Sequence, residues 1–265
     1  MEEKTEKTEK VKKPKKQKKE KGLKKSRFRN FLFYIVKAIM FFPRILIYPV
    51  KIIHKKRLPK HKKHIVVSNH LSWTDSVHIV FSLPRRRFIL AKKELSRSWF
   101  LRFFRRLLGI IFIDRENPSL ESFRTIYKIL KRDEAISIYA EGTRNKVNRE
   151  LQEIKSGAAS FSIKSGAPII PVMIYSKSRV FRRNYLYVGE PFDLNEFAGK
   201  KMTHELTAEA DAKVRAHMLK AMEEMDDYVL NKRWKRKNRL PPGECSMPDE
   251  SGDDERIADN ETNNE

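Results

Sequence analysis

His70 and Asp75 stand five residues apart in Asn69-His70-Leu71-Ser72-Trp73-Thr74-Asp75, directly after an apolar run. An imidazole can take a proton from an alcohol when a partner fixes one ring nitrogen and leaves the other free. A carboxylate near the entry of the following helix can fold back to be that partner. The same string also matches a helix capping box, in which Ser72 and Asp75 satisfy backbone N–H groups and His70 is an ordinary loop residue. A zinc site is disfavoured, because His and Asp at this spacing do not share a helix face and no cysteine or second histidine completes a ligand set.

A second cluster, Glu141-Gly142-Thr143-Arg144, also follows an apolar run. Arginine offers a planar fork that binds phosphate bidentately, and glycine lets backbone N–H groups approach an anion closely. Glu141 could accept a hydrogen bond from a hydroxyl near that anion or hold an arginine in place. Arg115, in Phe112-Ile113-Asp114-Arg115, ends another apolar run and could reach the same edge. Any one of these strings could be an ordinary surface turn. Together they point to group transfer onto a phosphorylated alcohol.

Elements that could position them follow from the pattern of apolar runs. Short β-branched stretches predict strands at Ile65–Ser68, Phe88–Ala91, Ile110–Ile113, Ala135–Tyr139, Ile169–Ile174 and Tyr185–Val188. Amphipathic stretches predict helices at about 74–81, 96–107, 119–131 and 152–164, with a last helix at about 203–235. Asn117-Pro118 reads as a helix start and Ser165-Gly166-Ala167-Pro168 as a helix stop. This alternation predicts an α/β fold with a mostly parallel central sheet flanked by helices. In such sheets, sites are built at the carboxyl ends of the strands.

The expected organisation is a disordered Lys-rich tail at 1–25, a membrane-associating helical segment at 26–56, a catalytic domain at 57–240 and an acidic disordered tail at 241–265. The segment from Phe28 to Ile53 is aromatic and aliphatic but is punctuated by Lys37, Arg44 and Lys51 and by Pro43 and Pro49. The cations recur every seven residues, which puts them on one stripe of a helix. One helix, or two broken near Pro43, lying in the lipid interface fits this pattern better than a core helix or a membrane span.

The net charge is +24, with 58 Lys and Arg against 34 Asp and Glu. Such an excess calls for a polyanionic partner: an anionic membrane surface, a phosphorylated substrate or nucleic acid. Nucleic acid is the weakest of these, because the cations gather in the tails and beside the apolar segment and no nucleic-acid module is present. The single cysteine, Cys245, allows no disulfide within the chain. With no secretory leader in the sequence, the expected place is the cytoplasmic face of a membrane.

Taken in order, Asn69-His70 with Asp75, Phe112-Ile113-Asp114-Arg115, Glu141-Gly142-Thr143-Arg144 and Ile170-Pro171-Val172 resemble the four motif blocks of the glycerolipid acyltransferases. The nearest likeness is to the 1-acylglycerol-3-phosphate acyltransferases. Ala91-Lys92-Lys93-Glu94-Leu95 and Lys155-Ser156-Gly157-Ala158-Ala159 also look like family stretches, and the resemblance covers about residues 60 to 190. Two positions depart from it: Ala140 stands where proline is usual and Asn145 where serine is common.

The resemblance implies that His70 acts as general base on a lysophospholipid hydroxyl and that Asp75 orients the ring. Arg115, Glu141, Gly142, Thr143 and Arg144 would hold the glycerol phosphate. The acyl donor would be acyl-CoA or acyl carrier protein, and no metal or cofactor is needed. Glycerol 3-phosphate or another lysophospholipid is the alternative acceptor. A relative that has lost catalysis is disfavoured because His70 and Asp75 are both present.

Overall fold

A computed structural model describes residues 28–114, 119–145, 150–154 and 157–238 of the chain. Both charged tails, the expected helix start at Asn117-Pro118, and Arg115 lie outside the described residues. The chain forms two compact units, Met1–Asp226 and Asp227–Glu265. In the second, the described residues continue the helix that ends at Asn238.

In the first unit, seven strands form one sheet: β1 (Val50–Ile53), β2 (His64–Ser68), β3 (Arg87–Lys92), β4 (Ile110–Ile113), β5 (Ala135–Tyr139), β6 (Ile169–Ile174) and β7 (Asn184–Val188). Their order is β1-β7-β6-β2-β5-β3-β4. From β6 to β4 all neighbours are parallel, whereas β7 runs antiparallel to β6 and carries β1 parallel to itself. Every residue of β2, β5 and β6 is buried, which accounts for their largely apolar sequence. Pro171 has no N–H to donate. It sits where pairing of β6 with β2 ends, at Val67, and pairing with β7 begins one residue later.

All six expected strands are present. The seventh, β1, differs from expectation: Val50–Ile53 belongs to the sheet edge rather than to the helical segment before it. Val50, Ile52 and Ile53 are β-branched but continue the apolar run of the helical segment, and their partner lies more than 130 residues away, at Asn184–Tyr187.

The helices are α1 (28–39), α2 (Phe41–Ile47), α3 (Thr74–Ser82), α4 (Trp99–Leu108), α5 (Leu120–Leu130), α6 (Ala158–Ser165) and α7 (His204–Asn238). Between α1 and α2 the chain turns at Met40, three residues before Pro43, whose missing N–H leaves the helical ladder incomplete. Helix α5 starts one residue after Ser119, whose hydroxyl accepts from the Ser122 N–H. Helix α6 is shorter than its sequence pattern suggests. Gly157, at φ +65°, sets its start, and the preceding residues 150–154 run without regular structure. Gly109, at φ +74°, ends α4. A Cβ there would lie 2.8 Å from the Arg87 carbonyl, so only glycine fits.

The segment 28–47 is apolar enough to cross a membrane, with a mean hydropathy of 1.7, yet little of it is buried. Its cations do not form an outward stripe. Lys37 donates to the Leu83 and Pro84 carbonyls, and Arg44 donates to the Ser82 hydroxyl at 3.2 Å. Both cations therefore face the carboxyl end of α3, where a positive charge is favoured. Phe33 is buried on this inward face and stacks on Phe81. Phe31, Phe42, Ile45 and Leu46 are left bare on the outside.

Candidate active site

Strand register brings the two chemical strings together. In the β2–β5 pair Ser68 lies opposite Tyr139, so the residues that follow each strand leave the sheet side by side. The Ala140 N–H donates to the Ser68 carbonyl at 2.9 Å and the Asn145 N–H donates to the His70 carbonyl at 2.8 Å. Proline at position 140 could not make the first of these bonds, which gives the alanine there a structural use. Asn145 is fully buried, and its side chain also donates to the Glu150 carbonyl.

Asp75, on the first turn of α3, is fully buried. Its Oδ2 accepts from the N–H groups of Leu71 and Ser72, each at 2.6 Å, and lies 3.0 Å from His70 Nδ1. Capping and ring orientation are thus one arrangement, because a single carboxylate oxygen does both. With Nδ1 held by the carboxylate, Nε2 is the nitrogen left for a substrate proton. The ring stacks flat on Tyr139, centroid to centroid 3.8 Å, and the Tyr139 hydroxyl is hydrogen bonded to Ser76 at 2.9 Å. Burial pushes the Tyr139 hydroxyl well above its ordinary value, so it stays protonated and acts here as a fixed neutral plate.

One cavity of about 250 Å³ is lined by His70, Trp73, Tyr139, Thr143 and Arg144 and by Ile89, Leu90, Ala91, Lys92 and Leu95. The imidazole and the guanidinium therefore share a cleft. Arg144 lies over the Trp73 ring at 4.1 Å, which orients the guanidinium without using up its N–H donors.

The other expected phosphate contacts sit differently. The Glu141 carboxylate is buried behind the site. It accepts from the His70 N–H at 3.4 Å, and the Gln152 backbone also donates to it. Burial raises its pKa and these two backbone bonds oppose the rise. Glu141 therefore positions the histidine loop and does not line the cavity. Gly142 turns the chain at φ +66° so that Thr143 and Arg144 come forward.

Sequence patterns did not single out Asn69, Tyr139 or Trp73 for roles of their own. Asn69 is buried and clamps the end of β6, donating to the Ile174 carbonyl at 3.0 Å and accepting from the Ile174 N–H at 2.8 Å. The available signal was its type, a lone amide just after a buried strand, where a buried polar group requires partners.

A histidine held by a carboxylate, sharing a cavity with an arginine at the carboxyl edge of a mostly parallel sheet, is the layout of an α/β enzyme of the group-transfer class. The family model described as Acyltransferase matches residues 49–175. A 1-acyl-sn-glycerol-3-phosphate acyltransferase of Bacillus subtilis is 30% identical over 169 residues, 62% of this chain and 83% of the relative. One of Borreliella burgdorferi is 27% identical over 134 residues, 50% of this chain and 53% of the relative. The crystal structure of the 1-acyl-sn-glycerophosphate acyltransferase PlsC from Thermotoga maritima shares the fold. Its TM-score is 0.57 at 21% identity, over 76% of this chain and 83% of that one. The chain belongs to the acyltransferase family.

Proposed function

We propose that this enzyme transfers an acyl group from a thioester to the free hydroxyl of 1-acylglycerol 3-phosphate, giving phosphatidic acid in phospholipid synthesis. The observation that carries this reading is the shared cleft: His70, oriented by Asp75, and Arg144 line one cavity. His70 Nε2 takes the hydroxyl proton as the oxygen attacks the thioester carbonyl. The tetrahedral intermediate then collapses, the C–S bond breaks and the imidazolium returns the proton to the leaving thiolate. Arg144 and Thr143 hold the acceptor phosphate, with Arg115 as a further cation for it. Gly142 and Glu141 set the loops that carry these groups. The apolar wall of Ile89, Leu90, Ala91 and Leu95 suits hydrocarbon. The donor carrier is coenzyme A or acyl carrier protein, both acidic and both compatible with a basic surface.

The enzyme works from the cytoplasmic face of a membrane, with the bare aromatic surface of α1 and α2 lying in an anionic lipid interface. The test is purified full-length protein with labelled acyl-CoA or acyl carrier protein and lysophosphatidic acid in vesicles. Phosphatidic acid should form, and its formation should collapse in His70→Ala. Equal activity in both proteins discards the base assignment. Activity on glycerol 3-phosphate alone would replace the acceptor.

A further inference from the structure

Helix α4 connects β3 to β4, and a crossover helix in an α/β fold ordinarily buries one face against the sheet. This one buries none of its ten residues. Trp99 is 73% exposed, Phe103 74% and Phe100 50%, whereas the helix has an orderly Ser98 cap and Gly109 stop. At 100° per residue, Trp99, Phe103, Leu107, Phe100 and Phe104 fall on one side, and Arg102, Arg105 and Arg106 on the other. An aromatic face with an arginine border is the pattern of a helix lying at the boundary between lipid headgroups and acyl chains.

A second observation says what covers it. Arg105 and Arg106 of α4 line a cavity of about 490 Å³ together with Arg29 of α1, the partly apolar helix whose own outer face is bare, and with Arg86. Among the described residues, Glu121 is the one carboxylate on its wall. Arg86 is occupied in holding the carbonyls of Arg106 and Leu107 at 2.8 and 3.1 Å, whereas Arg105 and Arg106 are exposed. Two apolar helical surfaces thus flank one cationic cleft, which suits anionic phospholipid headgroups.

We propose that α4 is a second lipid-docking element, lying on the same anionic bilayer as α1 and α2 and seating headgroup phosphates in the arginine cleft between them. Lys92 and Leu95, just before α4, line the His70 cavity, so docking through α4 brings the mouth of that cavity to the membrane surface. The proposal rests on the reading that the enzyme works at a bilayer.

Full-length protein carrying Cys245→Ser and Phe103→Cys is labelled with an environment-sensitive fluorophore, and a second sample carries the label at Phe42→Cys on α2. Each is mixed with vesicles of phosphatidylcholine, with or without phosphatidylglycerol. Both labels should shift to the blue with anionic vesicles and be quenched by brominated acyl chains. A shift at position 42 without one at 103 overturns the docking of α4 and leaves the bilayer reading intact. No shift at either position sinks both. A shift at 103 that depends on protein concentration without vesicles marks a second copy of the chain on α4 and also overturns the proposal. Arg105→Gln with Arg106→Gln should weaken binding to anionic vesicles by roughly 30-fold, and unchanged binding counts against the proposal.

Discussion

The loops after β2 and β5 and the helices α1, α2 and α4 treat their side chains in opposite ways. Around His70 the ring and its backbone have partners within the protein that set their angles. Asp75 holds the ring edge, Tyr139 its face, and Glu141 and Asn145 the backbone on either side. On the helices, Phe31, Phe42, Trp99 and Phe103 are mostly exposed. Bare apolar area of this size is costly in water, at about 25 cal/mol per Å². It is tolerated where something apolar covers it during function. One region is organised for fixed geometry, the other for contact with a second phase.

Substitutions can break or sharpen this contrast. His70→Ala should lower kcat/KM by about 10²–10⁴-fold with little change in thermal stability, measured by acyl transfer and by melting. Asp75→Asn should cost about 10–100-fold in rate and also lower Tm, because two backbone N–H groups lose a charged acceptor along with the ring. A rate loss with unchanged Tm would mean that the cap is dispensable. Arg144→Ala should raise the acceptor KM by about 10–100-fold and leave kcat nearly unchanged. A fall in kcat at constant KM would place the guanidinium in the chemistry instead. Phe42→Asp with Leu46→Asp, at positions 78% and 71% exposed, should weaken vesicle binding at least about tenfold without altering Tm.

The smallest effect lies away from both regions. Burial pushes the Asp211 carboxyl up to about 6 from its ordinary 3.8, and its Oδ1 has no partner among the described residues. An acid with a raised folded pKa favours the protonated form, so its contribution to stability is lost as pH rises from near 4 through about 6. Asp211→Asn should therefore stabilise the protein at pH 7 by about 1 kcal/mol, allowing for its partial exposure, and have no such effect below pH 4. Denaturant melts at the two pH values measure the difference.

Local sequence carried a good deal of this. The buried strands are short apolar runs rich in β-branched residues, and the His70–Asp75 pairing depends on a five-residue turn into a helix, a distance short enough for local geometry to settle. Gly142 likewise announces its turn. Strand β1 was illegible because its stability comes from β7, far along the chain. The length of α6 was overstated because apolar residues at helical spacing, such as Leu151 and Ile154, are buried from an irregular segment. Glu141 was expected among the phosphate-holding groups and is buried against the His70 N–H, because a pattern cannot say which way a carboxylate turns at a Gly-containing bend.

The seven-residue recurrence of Lys37 and Arg44 was plain in the sequence, but their direction was not. Periodicity fixes which residues share a face; only the position of the α3 carboxyl end decides that this face turns inward and leaves the aromatics outside. In the same way, residue types and spacing showed a histidine with a carboxylate five residues on, and an arginine beside a glycine turn, as the groups able to do this chemistry. The β2–β5 register, a contact between residues some seventy positions apart, decided that they meet in one cleft. Chemistry and period are local properties of a chain, whereas which groups face each other depends on long-range packing.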